Sequence, residues 1–267
     1  MSSNSSFNEC VRKHYTPPTS IFQNTDDTPK CYISGKDSTN TLCNISIHNT
    51  LNDYQICNFE FCTFISVSSS STNGGAIEFS PTEATSSGTS LTVDHCFFTR
   101  CSALNGDTKH SGGGVFAMYI SVATVTSCIF HICEGACSGG VFLQHLSYQP
   151  LISCCTFISC ASAHTGAGAY IGYCGLEVSP IVCADCRFVS CEERYIQGHN
   201  LAGGGFSLST NSNNRANTIV NLLFARNHAI SAGGLQVYVK SGITPSVKFC
   251  FFYINTATNS AHDINLS

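Results

Sequence analysis

Seven phenylalanines, Phe64, Phe98, Phe130, Phe157, Phe188, Phe224 and Phe252, recur at intervals of 34, 32, 27, 31, 36 and 28 residues, and each brings the same neighbours. Five residues earlier stands an apolar side chain in every copy: Phe59, Val93, Val125, Ile152, Cys183, Ile219 and Val247. Two residues earlier come Cys62, Cys96, Cys128, Cys155, Cys186, Leu222 and Cys250. Three residues later come Val67, Cys101, Cys133, Cys160, Cys191, Asn227 and Asn255. A period of about 20 to 50 residues denotes a stacked repeat, in which each unit buries its apolar face only against its neighbours.

A second motif follows each Phe. It reads Gly74-Gly75-Ala76-Ile77, Gly112-Gly113-Gly114-Val115, Ser138-Gly139-Gly140-Val141 and so on, decaying to Ala261-His262-Asp263-Ile264 in the last copy. The alternation after the glycines (Ile77 then Phe79, Val141 then Leu143) is that of a strand whose side chains point to opposite faces. The glycines themselves mark a bend or a close backbone approach that excludes a Cβ. Each unit therefore predicts three strand segments: one before the Cys, one running through the Phe and one after the glycines. Three short strands per turn, parallel to those of the next turn, describe an all-β, right-handed parallel β-helix of about seven coils over residues 56–267. Residues 1–55 lack the repeat and form an irregular N-terminal segment. Short alternating runs there, such as Cys43, Ile45 and Ile47, are placed to cap the end of the coil.

The chain has 12 Lys and Arg against 16 Asp and Glu, a net charge of −4, and only 10% charged residues. Globular domains usually carry about 25%. No basic run exists to neutralise phosphates, which argues against nucleic-acid binding. No stretch approaches the ~20 consecutive apolar residues of a membrane helix. Met1–Ser20 has no apolar segment of the signal-peptide kind, so the compartment stays open between cytoplasm and an export route not visible here.

Eighteen cysteines would suit a secreted disulfide scaffold, yet ten of them stand in the two repeat columns beside the Phe. Leu222 and Val67 substitute in those same columns, so the expected requirement is a small, buried apolar volume, which a free thiol supplies. Disulfides between coils remain open, because strands about 4.8 Å apart fall within bridging range while parallel Cβ vectors would strain the dihedral. Cys133 with Cys137, and Cys183 with Cys186, have zinc-like spacing but are better read as a column residue plus a neighbour. No metal or cofactor is expected.

Two copies carry extra residues between Phe and the following strand, in Ala103–Ser111 and Glu192–Ala202. Insertions in a repeat array map to loops on one face, often the binding face. Asn105, Asp107, Lys109, His110, Glu192, Glu193, Arg194, Tyr195, Gln197 and His199 are accordingly the candidate interaction residues.

Gly74-Gly75-Ala76-Ile77 and the Phe-x-x-Asn of Phe224–Asn227 and Phe252–Asn255 resemble the repeat motifs of chlamydial polymorphic outer membrane proteins. The copies with Phe-x-x-Cys resemble a Cys-rich variant of the trichomonad type. The resemblance covers about residues 57 to 266 and implies a β-helical surface or secreted protein associated with adhesion. Unlike members of that family, this chain is expected from its sequence to carry no signal, autotransporter barrel or membrane anchor.

Right-handed β-helices also include pectate lyases and polygalacturonases, and fold alone does not transmit function. Glycoside hydrolysis needs two carboxylates facing one bond. Read in repeat coordinates, no adjacent-turn carboxylate pair is expected, and the histidines fall at scattered offsets. An ice-binding face would repeat Thr-x-Thr, which occurs once, at Thr124–Thr126. The expected function is a non-enzymatic scaffold that binds a protein or glycan, with end-to-end self-association as a further property; a pectate lyase-like enzyme is the alternative.

Overall fold

The computed structural model describes residues 30–34, 56–69, 73–81, 88–103, 111–148, 150–172, 181–194, 203–210, 217–239, 245–259 and 262–266. These residues form a parallel β-helix with no α-helix among them. One coil shows the pattern. Val122–Thr126 runs into Ile129–His131, then into the two-residue strand Glu134–Gly135, then into Val141–Gln144. The next coil begins at Leu151–Ser153, hydrogen-bonded in parallel above the first.

Four sheets result, numbered here in the order the chain visits them within a coil. The first has eight strands and the other three have seven. The repeat pattern predicts three strands per coil, and the structure adds a fourth. The short third-sheet strands, such as Glu134–Gly135, are too brief for alternation to be recognised in sequence. The first sheet also begins one strand earlier than the repeats do, because Lys30–Ser34 pairs in parallel with Ile56–Glu60. Cys43, Ile45 and Ile47, expected near a cap, lie outside the described residues.

Register is set by the interior. Phe130 pairs with Phe98 on one side and Phe157 on the other, and the same alignment runs from Phe64 to Phe252. Ring centroids of successive coils are 4.6 to 5.1 Å apart, with planes within 9° of parallel. That spacing is the inter-strand distance itself, so the backbone ladder holds each ring on the next. A one-residue slip would turn every Phe to the solvent.

Sharp corners join the sheets. In every coil the residue between the first and second sheets, and that between the second and third, takes a positive φ: Ser127 (φ 54) and Ile132 (φ 55) in the coil above. None of these corner residues is glycine. Left-handed backbone costs a non-glycine residue about 1–2 kcal/mol. Corner N–H groups recover part of it by bonding to the next coil, as Ser127 N–H does to Ser153 O (3.0 Å) and Ile132 N–H to Ile158 O (2.9 Å).

The two cysteine columns follow these corners directly. The 14 cysteines whose side chains are described are free thiols, and the column members are buried except for the half-buried Cys250. Small apolar volume proves not to be the whole requirement. Cys128 Sγ donates to Thr126 O (3.0 Å) and to Val93 O of the preceding coil (3.5 Å), while accepting the Cys96 N–H at 3.4 Å. In the second column Asn227 does the same work with stronger groups. Its Oδ1 accepts Cys191 N–H (2.9 Å) and its Nδ2 donates to Phe188 O (3.0 Å). The column position serves a corner amide and a carbonyl that the strand ladder leaves over.

Candidate functional site

Of the loop residues singled out in the sequence, Asn105, Asp107, Lys109, His110, Tyr195, Gln197 and His199 lie outside the described residues. Glu192, Glu193 and Arg194 are described, and the first two are not loop residues. They form the third-sheet strand Glu192–Glu193, paired with Ala161–Ser162 on one side and with His228 on the other. The loop expectation is corrected there: the inserted segment starts later than sequence counting placed it.

Strand alternation then separates the two carboxyls. Glu192 points outward, in one column with Glu134 two coils earlier. Arg194 joins them, with Nη1 2.8 Å from Glu134 Oε1 and Nε 3.6 Å from Glu192 Oε2. Solvent screens such exposed pairs, which contribute little to stability. Glu193 points in and is 4% exposed. Its Oε2 accepts Ile230 N–H at 2.9 Å, and its Oε1 has no hydrogen-bond partner among the described residues.

Burial pushes the Glu193 carboxyl up from 4.5 to about 7. A raised folded pKa means the protonated form belongs to the folded state. Its stabilising contribution is complete below pH 4.5, declines across the window up to about 7 and is lost above it. The span corresponds to about 3 kcal/mol at most. Glu193→Gln removes the titration while keeping an acceptor for Ile230. The difference in denaturation midpoint between variant and wild type should grow from pH 4.5 to 7.5 and then level off; a difference independent of pH would refute this assignment.

The outer edge of the first sheet overturns a second expectation. Glu60 and Asp94 are register partners on adjacent coils, so an adjacent-turn carboxylate pair does exist. Both lie four residues before their Phe, an alignment visible in the repeat itself. Asp94 is fully engaged: Oδ2 meets His95 Nδ1 at 2.7 Å and Oδ1 accepts the Thr126 hydroxyl at 2.6 Å. The His95 ring in turn stacks on Phe61, 4.9 Å between centroids. Among the described residues no group of three His, Cys, Asp or Glu side chains is gathered as a metal site.

Burial and hydrogen bonding govern the thiols. Burial pushes Cys137 up to about 12 and holds Cys128, Cys160 and Cys186 well above the ordinary thiol value, whereas at Cys96, Cys133 and Cys155 hydrogen bonds from neighbouring column thiols outweigh burial and hold the thiol below it. The column thiols other than Cys250 are enclosed whichever way they are shifted, and a thiol without access to a reactant serves packing and hydrogen bonding.

The second sheet presents a different surface. Its central residues are the stacked Phe rings, so the residues on either side of each Phe face outward. Nine of those fourteen outward positions are apolar. Ile65 is 39% exposed, Ile129 42% and Phe251 65%. The adjoining corner column is exposed throughout: Ser66, Arg100, Ile132, Ser159, Ser190, Arg226 and Ile254. Arg187 lies on the sheet face itself, and neither the face nor this corner column carries an Asp or Glu. Monomeric proteins rarely leave so continuous an apolar strip in water unless it binds something. Loop length drew attention to the insertions and away from this strip. Its signal was available in the sequence as the offsets one before, one after and two after each Phe.

No protein-family model, curated protein or solved structure matches the chain. No helix among the described residues is long and apolar enough to cross a membrane.

Proposed function

We propose that this chain is a non-enzymatic β-helical scaffold for binding or adhesion, whose partner is a protein or glycan. The observation that carries the reading is the largely apolar outer face of the second sheet, whose side chains are half-buried to exposed. A parallel β-helix is suited to such a role, because backbone ladders in four sheets hold surface side chains in fixed register without any further support. Adhesion and surface association come from the resemblance of Gly74–Ile77 and Phe224–Asn227 to the chlamydial repeat motifs. End-to-end self-association belongs to the same reading, and concentration-dependent sedimentation would reveal it.

One observation favours an enzyme instead. Glu60 and Asp94 stand on adjacent coils, and strands about 4.8 Å apart bring carboxyls near the separation used by retaining glycosidases. Against it, Asp94 already holds His95 and Thr126. Incubation with polygalacturonate and neutral polysaccharides decides between the two. The scaffold reading expects neither new reducing ends nor unsaturated products. Turnover abolished by Asp94→Asn would establish the enzyme.

A further inference from the structure

We infer that the outer face of the second sheet, together with the corner column beside it, docks an acidic protein surface in which carboxylates flank an apolar patch. This deepens the scaffold reading and rests on it. Charge is the first reason. The chain is net negative, yet this face bears Arg100, Arg187 and Arg226 and no carboxylate. Arg100 and Arg226 are exposed and make no ion pair among the described residues. The flanking carboxylates are occupied. Asp94 holds His95 and Thr126, Asp185 accepts from Asn221, and Glu134 and Glu192 share Arg194. Arg100 and Arg226 therefore leave positive charge uncompensated on this side.

Composition is the second reason. Arg100 and Arg226 occupy the same corner four coils apart, about 19 Å along the axis. Between them, in the coil next to that of Arg100, stand the exposed Ile129 and Ile132. Arginine and aromatic side chains around an aliphatic centre, with acidic residues excluded, is the composition of protein interface cores. A glycan would call for polar groups along the columns, where most positions here are apolar.

The corner column supplies its own controls, since serine already occupies it at Ser66, Ser159 and Ser190. Arg100→Ser with Arg226→Ser, and separately Ile132→Ser, should leave the fold intact. The probe is a fluorescent amphipathic helical peptide whose Leu and Phe stripe is flanked by Glu, compared with its Gln counterpart by anisotropy at two salt concentrations. The Glu peptide should bind saturably. The double Arg variant should weaken it at least tenfold and flatten the salt dependence, and Ile132→Ser should weaken it several-fold at both salt concentrations. Equal binding of the Glu and Gln peptides, indifference to the variants, or no saturable binding would overturn the inference. Preferential binding of polygalacturonate, or of vesicles of phosphatidylserine and phosphatidylcholine, would overturn the protein partner and leave a binding scaffold. Cleavage of the polygalacturonate would remove the scaffold reading itself.

Discussion

Gly140→Ala should destabilise the fold by about 3 kcal/mol or more, measured as a lowered denaturation midpoint at unchanged slope. A Cβ at this position would lie 2.4 Å from Gly168 O and 2.6 Å from Cδ1 of Phe157. Neither neighbour can yield. The carbonyl belongs to the ladder of the next coil, accepting Gly140 N–H at 3.1 Å and Val141 N–H at 3.2 Å. The ring is fully buried and stacked between Phe130 (4.9 Å) and Phe188 (4.7 Å). The glycine is required by what packs against it, not by its backbone angles. Phe157→Leu tests this directly. It should cost about 1–2 kcal/mol alone and make Gly140→Ala less damaging, because a smaller side chain yields where the ring cannot. Additive costs in the double variant would place the whole effect on the carbonyl.

Asn227 is expected to respond to chemistry more than to volume. Asn227→Val should cost about 2–4 kcal/mol, because it strands the Cys191 N–H and the Phe188 carbonyl in a dry interior. It also removes one donor from Asn255 Oδ1, which accepts both Asn227 Nδ2 and Asn227 N–H at 3.0 Å. Asn227→Cys should cost about 1 kcal/mol. A thiol there can repeat what Cys191 does one coil earlier, donating to Phe157 O at 3.7 Å. Equal costs for the two variants would return the column to a simple requirement for small apolar volume.

Cys, Asn, Leu and Val share the columns, and two of the four are apolar, so the shared property looked like size. The property common to Cys and Asn is a donor and an acceptor on a short side chain, next to a left-handed corner. Nothing in the chain announces that corner. Its occupants include Phe61, His95, Arg100, Ile132 and Asn221, a mixture with no compositional signature. The corners are imposed by neighbouring coils, whose ladders offset the local strain.

The candidate surface divides in the same way. The outward offsets around each Phe were present in the repeat, but whether they met water depended on what else covered them. On the fourth sheet the corresponding outward residues Phe116 and Phe142 are buried, whereas on the second sheet Ile129 is exposed. Covering of this kind depends on contacts far apart in the chain, which no offset encodes. Glu192 and Glu193 were likewise assigned by loop length to one class and separated by strand alternation into a surface ion pair and a buried acid.

What the residues dictated alone was the interior: a period, an inward Phe and aliphatic set, and glycines where coils approach. These follow from local spacing and the hydrophobic effect, which act wherever the pattern repeats. The third sheet, the left-handed corners, the hydrogen-bonding duty of the thiols and the arginine-bearing apolar face emerged only when coils were stacked. Each depends on a group in one coil meeting a group about thirty residues away in the next, and such meetings are properties of register in space rather than of order along the chain.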